Sequence, residues 1–377
     1  MVDSLRLLNE FKKLTSFDSE SYNEQEIAGY LFRKFEDLGL SVKMDDAGNR
    51  LRKKAGYAEG PAFGNIYGLL EGNTGGEPVL FCAHMDTVAP GKGKMPVFHP
   101  DGRVTSDGTT VLGADDTTGI AAILEALTVI KENALSHPDI EVVFFVAEEP
   151  YCRGSSVFDY SLIRSKQAYV FDLDGKIGTI ANRAPSIISF KVMIEGKSAH
   201  AGFEPEYGIS SILVAALAIS GLETGRIDRE TTANIGLIKG GTGRNIVPGS
   251  TVVEGEVRSL NASKARALIK KYRSGFAAAA EKFGAKIIFE AEEMISAYSV
   301  SKNAQVIKRY EKALKELGYG PAELITTFGG SDNNSLNRHG IEGIVVSNAM
   351  NNVHTTGEYF YTGELVKSAE IAVRLML

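Results

Sequence analysis

The sequence predicts an α/β fold: a doubly wound, mostly parallel sheet into which a second, ferredoxin-like α/β domain is inserted. The first indication is a set of β-branched and aromatic runs, such as residues 140–147, that alternate with helical patterns. Such runs are typical of the interior strands of a parallel sheet, which are buried on both faces. The second is the order β-α-β-β-α-β in the middle of the chain, which is that of a ferredoxin-like unit.

The first part of the chain alternates predicted helices and strands. A helix is expected over residues 3–14, and a second begins near Asn23 in a segment rich in Glu and Gln. Gly39 ends the second helix, because glycine readily adopts the left-handed conformation that follows a last helical turn. The other elements predicted here are strands at 78–83, 140–147 and 168–171 and an apolar helix at 120–130.

The middle of the chain supplies the inserted unit, and the last part returns to the first pattern. The inserted strands are predicted at 187–195, 232–239, 251–259 and 285–293, with helices at 209–222 and 262–283. A helix at 303–317, a strand at 341–346 and a helix from 363 follow. We therefore predict a larger domain from residues 1–183 and 297–377 and an inserted domain from residues 184–296.

Composition narrows the possible functions. With 377 residues, 44% of them hydrophobic and 23% charged, the chain is typical of a globular protein with two domains. A net charge of −6 argues against nucleic acid as a partner, because protein surfaces that bind nucleic acid are basic. No apolar run reaches the ~20 residues that span a bilayer, and the first residues lack the apolar core of a secretion signal. Cys82 and Cys152 are the two cysteines, which suits a reducing cytoplasm.

Acidic and histidine side chains follow several predicted strands. In parallel sheets, ligands bind beyond the carboxyl ends of the strands, so we expect these side chains to converge at one edge. The residues concerned are His84 and Asp86, the pair Asp115 and Asp116 that opens the helix at 120–130, the pair Glu148 and Glu149, Asp172, and His354.

This set of side chains predicts metal ions. Paired carboxylates repel one another and have raised pKa values unless a cation neutralises them. The mixed nitrogen and oxygen donors suit zinc, with cobalt or manganese as alternatives. Because one catalytic zinc needs only three protein ligands, we predict two divalent ions, roughly 3.5–4 Å apart, bridged by one carboxylate.

The same residues carry a family resemblance. Their order resembles that of the dinuclear zinc peptidase family of peptidase T, glutamate carboxypeptidase, aminoacylase and succinyl-diaminopimelate desuccinylase, and it extends over essentially the whole chain. The segments 112–116 and 245–248 resemble most the peptidase T branch, the tripeptide aminopeptidases. The matched motifs are His84-Met-Asp86-Thr87, Gly113-Ala-Asp115-Asp116, Glu148-Glu149, Ser198-Ala-His200-Ala-Gly202, Gly329-Gly-Ser-Asp332 and His354.

The resemblance implies the metal ligands. His84 and Asp172 would hold one ion, Glu149 and His354 would hold the other, and Asp115 would bridge them. Family members with Asp rather than Glu at the position of Asp172 tend to be aminopeptidases.

The resemblance also implies the remaining site residues. Glu148 would be the general base, and Asp86 would orient a metal-binding histidine. His200 would stabilise the oxyanion, often across a dimer interface, so that a homodimer through the inserted domain is compatible with the family. Asn245 and Arg258, in the inserted lid, would bind the far end of the substrate.

Several alternatives stay open at the level of sequence. Asp174 competes with Asp172, and Asp116 competes with Asp115, although an acid at a helix start also has an ordinary macrodipole explanation. His200 could cap a helix, and Arg258 could form a structural ion pair. The other residues weighed are His99, His137 and His339, which are interpreted as loop or surface residues, and Cys152, whose use as a nucleophile would need a base that is not evident.

Two departures from the family pattern affect substrate choice. The family continues after the paired glutamates with an aliphatic residue and glycine, whereas this chain has Pro150-Tyr-Cys-Arg-Gly154. Thr117 stands where many relatives have lysine. The prediction is a metallo-aminopeptidase that removes the N-terminal residue of short peptides, tripeptides above all. An aminoacylase-like amidohydrolase and a non-catalytic metal-binding relative are the alternatives.

Overall fold

The chain divides at Arg183 and again after Tyr298. The computed structural model describes residues 1–58 and 60–377. The first unit comprises Met1–Arg183, Ser299–Thr326 and Ser331–Leu377, and the second comprises Ala184–Tyr298 together with Thr327–Gly330. For comparison, the sequence predicts an inserted domain over residues 184–296.

The first segment of the larger unit alternates helices and strands. Its second helix ends at Gly39, which has a φ of 87° and supplies the left-handed C-cap expected from the sequence. The helices are α1 (Ser4–Thr15), α2 (Gln25–Leu38), α3 (Ala47–Lys54), α4 (Ala114–Glu132) and α5 (Arg153–Ser156). The strands are β1 (Ser41–Met44), β2 (Ile66–Leu70), β3 (Val79–His84), β4 (Val97–Phe98), β5 (Arg103–Thr105), β6 (Ile140–Phe145), β7 (Gln167–Leu173) and β8 (Thr179–Ala184).

The second unit is a sheet backed by two helices. Its strands are β9 (Ser186–Glu195), β10 (Gly225–Arg226), β11 (Thr231–Gly240), β12 (Ser250–Ser259) and β13 (Lys286–Ile295), and its helices are α6 (Ser211–Ser220) and α7 (Ala262–Phe283). The spatial order β10-β11-β12-β9-β13 is antiparallel and contains the four-strand order of a ferredoxin-like sheet. Alternate residues of β9, including Phe190 and Val192, pack against Tyr272 and Phe276 of α7.

The last segment completes the larger unit. Its helices are α8 (Gln305–Leu317), α9 (Asp332–Arg338) and α10 (Thr362–Met376), and its strands are β14 (Tyr298–Ser299), β15 (Glu323–Thr326), β16 (Glu342–Ser347) and β17 (Tyr359–Tyr361). The central sheet has the order β1-β2-β6-β3-β7-β16-β8-β14, with β15 beside β8.

The central sheet is parallel where the candidate site lies. Strands β6, β3, β7 and β16 are neighbours and run in the same direction, which confirms the doubly wound, mostly parallel sheet. Helix α4 packs on β3 and β7 from one side. On the other side, Cys82 and Val170 pack in a cluster with Leu336 of α9. The β-branched and aromatic runs are therefore buried on both faces, and the polar residues that follow them lie at the sheet edge.

Among the described residues, no helix is both long enough and apolar enough to cross a membrane.

Candidate metal centre

Three neighbouring parallel strands bring the predicted residues to one sheet edge. His84 is the last residue of β3, and Asp172 lies near the end of β7. After β6 the chain turns at Ala147, whose φ of 50° is left-handed, and presents Glu148 and Glu149. Because β6, β3 and β7 pair in parallel, their carboxyl ends meet at the same edge.

Asp115 lies between the two histidines. His84 Nε2 is 2.9 Å from Asp115 Oδ1, and His354 Nε2 is 3.1 Å from Asp115 Oδ2. His84 Nε2 is also 3.6 Å from Asp172 Oδ1, and His354 Nε2 is 3.0 Å from Glu149 Oε2. The five residues that the sequence predicts as ligands are thus brought together in two groups that share one carboxylate.

Asp116, the alternative to Asp115, makes other contacts. It also lies close enough to His84 and Asp172 to join a metal site. However, its carboxylate accepts hydrogen bonds from the backbone N–H of His84 (3.2 Å), the backbone N–H of Gly119 (3.2 Å) and Asn348 Nδ2 (2.5 Å). A carboxylate whose oxygens already accept three bonds from the protein is better suited to fixing the loop. The geometry therefore favours Asp115 as the shared ligand.

The donor set fits divalent cations. Burial raises the pKa of Glu149 to about 7 and that of Asp172 to about 6, and nearby Asp115 adds repulsion in both cases. Hydrogen bonds to Asp115 and Glu149 raise the pKa of His354 to about 10. Among the described residues, Glu149 Oε1 is buried without a hydrogen-bond partner. Neighbouring carboxylates are difficult to ionise at the same time unless a cation neutralises them, and the unpaired Glu149 oxygen is available as a ligand. Both features fit a cation-binding site.

Asp86 contributes mainly by fixing the backbone of the glutamate pair. Its Oδ1 accepts a hydrogen bond from the Glu148 N–H at 2.8 Å, and its Oδ2 accepts bonds from the Glu149 N–H at 3.1 Å and Ser21 Oγ at 2.7 Å. His84 Nδ1 contacts the backbone carbonyl of Asp86 at 2.9 Å, whereas the carboxylate is 3.5 Å away. The orientation of His84 thus depends more on the main chain of Asp86 than on its side chain.

The sequence did not reveal several supporting residues. Glu358 accepts hydrogen bonds from the backbone N–H groups of Gly113 and Asp115, both at 2.8 Å. Glu24 accepts one from the N–H of Ala147 at 2.8 Å. Each is nearly inaccessible to solvent, at 1% and 0% exposure. They come from segments far along the chain with no recognisable motif, so only the folded structure could identify them.

The remaining predicted residues belong to the second unit. The N–H of Gly202 donates to His200 Nδ1 at 3.2 Å, and the ring of His200 packs on Phe203. The loop of His200 is joined to that of Asn245, since the Ala201 N–H donates to the Asn245 carbonyl at 2.9 Å.

Arg258 is engaged within the second unit. Its Nε is 2.7 Å from Glu256 Oε1, and the guanidinium also donates to Glu256 Oε2 and to the carbonyl of Phe328. The ion pair left open by the sequence is therefore present in the structure.

Comparison with known proteins places these observations in a family. A model described as a peptidase dimerisation domain matches residues 183–283, and one described as peptidase family M28 matches residues 65–202. The chain is similar to an aminopeptidase PepT structure from Bacillus cereus, with 38% identity, coverage of 100% of this chain and 98% of the other, and a TM-score of 0.88. The chain belongs to the peptidase T family. Membership makes it a metallo-aminopeptidase, a hydrolase.

Three further proteins are similar to most of the chain. A Staphylococcus aureus tripeptidase structure has 34% identity, covers 100% of this chain and 98% of its own, and has a TM-score of 0.92. The uncharacterised protein YqjE of Bacillus subtilis is 41% identical over 100% of this chain and 99% of its own. Peptidase T of Clostridium perfringens is 25% identical over 75% of this chain and 70% of its own.

Proposed function

We propose that this peptidase removes the N-terminal residue of short peptides, with tripeptides as the best class, and that it uses two divalent ions, zinc above all, with cobalt or manganese as substitutes. The observation that carries the proposal is the position of Asp115 between His84 and His354, with one carboxylate oxygen facing each ring. A shared carboxylate of this kind suits two adjacent cations better than one.

The residues assigned to the ions follow the two groups. His84 and Asp172 would hold one ion, Glu149 and His354 would hold the other, and Asp115 would contribute to both. When bound, two divalent ions supply Lewis-acid polarisation of a scissile carbonyl and an acidified water.

Glu148 is the general base in this proposal. It takes a proton from the attacking water and delivers it to the leaving amine. Burial, followed by the nearby Asp172, raises the pKa of Glu148 above that of an exposed glutamate, so its carboxylate is more basic. Its backbone is fixed by Asp86, which limits the positions that the side chain can reach.

The second unit supplies the proposed substrate contacts. His200 donates to the oxyanion, and the peptidase dimerisation model, which matches residues 183–283, supports action in a homodimer. Asn245 and Arg258 bind the far end of the substrate, because a guanidinium binds a carboxylate in a bidentate fork. Glu256 already holds that fork in the free protein, so a substrate carboxylate would have to displace it. We also assign the protein to the cytoplasm, which agrees with its two free cysteines.

The preference for free-amino tripeptides is supported by relatives and by Asp172. The Staphylococcus aureus relative is named a tripeptidase and the Bacillus cereus relative an aminopeptidase. A site that binds the C-terminal carboxylate of a peptide fixes the distance from that carboxylate to the metal centre. Peptides of one length should therefore fit best.

The test is a substrate panel with the metal-loaded protein: free-amino tripeptides, the same peptides with amidated C-termini, dipeptides, tetrapeptides and N-acetyl amino acids. We expect the free tripeptide to have the highest kcat/KM and the amidated tripeptide to have a substantially lower one. In Arg258→Ala, most of this difference in kcat/KM between the free and the amidated peptide should disappear. Faster cleavage of N-acetyl amino acids would favour the aminoacylase-like activity. Bound metal without hydrolysis of any member would favour a non-catalytic relative.

A further inference from the structure

Cys152 lies directly against the proposed general base. Its Sγ is 3.2 Å from Glu148 Oε1, within the range of a hydrogen bond to sulfur, and the residue is only 2% exposed. Burial raises the pKa of the Cys152 thiol, so the group keeps its proton and can donate it to the carboxylate. The contact between this thiol and Glu148 is not predictable from the family pattern, because the segment that contains Cys152 departs from it.

The backbone fixes the thiol in place. Tyr151 and Cys152 have φ values of 71° and 52°, a left-handed conformation that non-glycine residues rarely adopt. The turn is closed by hydrogen bonds from the Cys152 N–H to the Glu148 carbonyl and from the Arg153 N–H to the Ala147 carbonyl. Unfavourable conformations persist where the surroundings enforce them, and they are concentrated at functional sites.

The end of the turn is held equally closely. A Cβ placed on Gly154 would come within 1.9 Å of the Val146 carbonyl oxygen, so only glycine fits there. Asn65 accepts from the Val146 N–H at 3.0 Å and donates to the Gly154 carbonyl at 3.0 Å. The segment from Val146 to Gly154 therefore has both of its ends joined to one buried side chain, and Cys152 sits within it.

We propose that Cys152 is a positioning residue, which acts through Glu148 by holding its carboxylate with a thiol hydrogen bond. A base that serves first the water and then the leaving amine must be held in place but must also be able to turn. A thiol suits this need because it is a weak donor, which restricts the carboxylate without trapping it. The inference rests on the proposed role of Glu148 as the general base.

The experiment compares Cys152→Ala, Cys152→Gly and Cys152→Ser in the metal-loaded protein, with a free-amino tripeptide as substrate. Cys82→Ala is the matched control, since it removes the other buried thiol from strand β3. We expect Cys152→Ala and Cys152→Gly to lower kcat about five- to tenfold, the scale of one modest hydrogen bond, with KM and metal content unchanged. The serine variant should recover kcat to within about twofold of wild type, because its hydroxyl can still donate to Glu148.

The glycine variant separates positioning from folding. Glycine adopts the left-handed conformation without a steric cost, so this variant keeps the turn while lacking the thiol. A second comparison places Cys152→Ala in a Glu148→Asp background, where the shorter carboxylate cannot keep the contact. There the alanine change should have no further effect on kcat.

The outcomes distinguish this inference from the proposed function. Wild-type kcat in both the alanine and glycine variants would overturn it, and so would loss of metal or a raised KM in place of a lowered kcat. An equal loss in the Glu148→Asp background would also overturn it, because the thiol would then act elsewhere. If Glu148→Ala retains full activity, the proposed role of Glu148 as the general base is wrong, irrespective of the results for Cys152.

Discussion

At the scale of single residues, Asp115 is the side chain on which the proposed metal centre depends. Its two oxygens lie 2.9 Å from His84 Nε2 and 3.1 Å from His354 Nε2. The two rings come from segments far apart in the sequence, and among the described residues only this carboxylate contacts both of them. The adjacent residues Glu148 and Glu149 have different proposed roles, the first as general base and the second as metal ligand.

The glutamate pair yields the first prediction. Glu149 Oε2 lies 3.0 Å from His354 Nε2, whereas Glu148 Oε1 lies 3.2 Å from Cys152 Sγ. Glu148→Ala should therefore keep its metal content and lose roughly 10²–10⁴-fold in kcat, the scale of general-base transfer. Glu149→Ala should lose metal. Metal analysis and steady-state kinetics on the two variants check this, and the opposite pattern would reverse the two roles.

His200 yields the second prediction. It belongs to the second unit, where its ring packs on Phe203, and it is proposed to donate to the oxyanion. His200→Ala should lower kcat by about 10²–10³-fold, as does the loss of one oxyanion donor, with metal content unchanged. Phe203→Leu is the control for disturbance of the loop. A near-normal kcat in His200→Ala would remove the proposed role.

A mixing experiment shows whether His200 acts across a dimer. Subunits carrying His200→Ala and subunits carrying Glu148→Ala are each deficient, but a mixed dimer could assemble one complete site. We expect partial recovery of activity after subunit exchange. Absence of recovery in a demonstrably mixed dimer would assign the histidine to its own chain.

The sequence could predict that side chains lie close together where a polar or charged side chain follows a strand. His84, Glu149 and Asp172 could be grouped because each lies at the end of an apolar run, and parallel strands align those ends. Glu358 and the contact of Cys152 with Glu148 could not be found this way. Each depends on the path of a loop, which has no periodic pattern.

At the scale of elements, the start of helix α4 is held by a distant carboxylate. Asp115 and Asp116 have non-helical backbone angles within the first turn of α4. Glu358, from the loop before β17, accepts the N–H groups of Gly113 and Asp115 and so fixes this irregular turn. The position of Asp115, the proposed shared ligand, thus depends on a residue more than 240 positions away in sequence.

Glu358 yields the third prediction. In Glu358→Gln, an amide nitrogen replaces one acceptor oxygen, so one of the two backbone N–H groups loses its partner. Metal affinity should fall about 10–100-fold, as when residues that orient metal ligands are changed. Competition with a chelator measures the affinity. Glu364→Gln, which changes a surface glutamate of α10 paired with Lys367, is the control, and equal affinities in the two variants would contradict the prediction.

Element prediction was most accurate where periodicity was strong. The strand predicted at 341–346 is β16 (Glu342–Ser347), and the helix predicted at 262–283 is α7 (Ala262–Phe283). The apolar helix at 120–130 proved longer, because α4 begins at Ala114 with two aspartates that carry no apolar pattern. Short elements such as α3 and the two-residue strands were missed, since they are too short for a period to appear.

At the scale of the whole molecule, the metal centre should determine how stability depends on pH. In the metal-free protein, the pKa of Glu149 is raised to about 7 and that of Asp172 to about 6, so the folded state favours their protonated forms. The pKa of His354 is raised to about 10 by its carboxylate partners, and its contribution is fully present below its usual pKa of 6.5. The contribution of these three groups to the free energy of unfolding therefore decreases as pH rises from about 5 to 8.

The fourth prediction follows from these signs. The Tm of the metal-free protein should fall between pH 5 and pH 8. The Tm of the metal-loaded protein should change little over this interval, because bound cations favour the ionised carboxylates. Asp115 does not alter the expectation, since hydrogen bonds from the two histidines outweigh its burial and hold its pKa below the usual value, beneath this window. A Tm of the metal-free protein that rises over this interval would contradict the prediction.

The whole-molecule architecture was accessible from sequence because both sheets have clear strand patterns. The β-α-β-β-α-β order predicted the ferredoxin-like sheet, and the continuous apolar runs predicted the parallel one. The return of Thr327–Gly330 to the second unit was not predicted, since a four-residue segment has no composition of its own.

The measurement that tests the account most directly is the number of divalent ions per chain at which tripeptide hydrolysis reaches its plateau. Metal-free protein would be titrated with Zn²⁺ while bound metal and kcat are recorded together, and then with Co²⁺ and Mn²⁺. We expect negligible activity without metal and full activity at two ions per chain. Full activity without metal, or a plateau at one ion with no further binding, would contradict the shared-carboxylate centre built around Asp115.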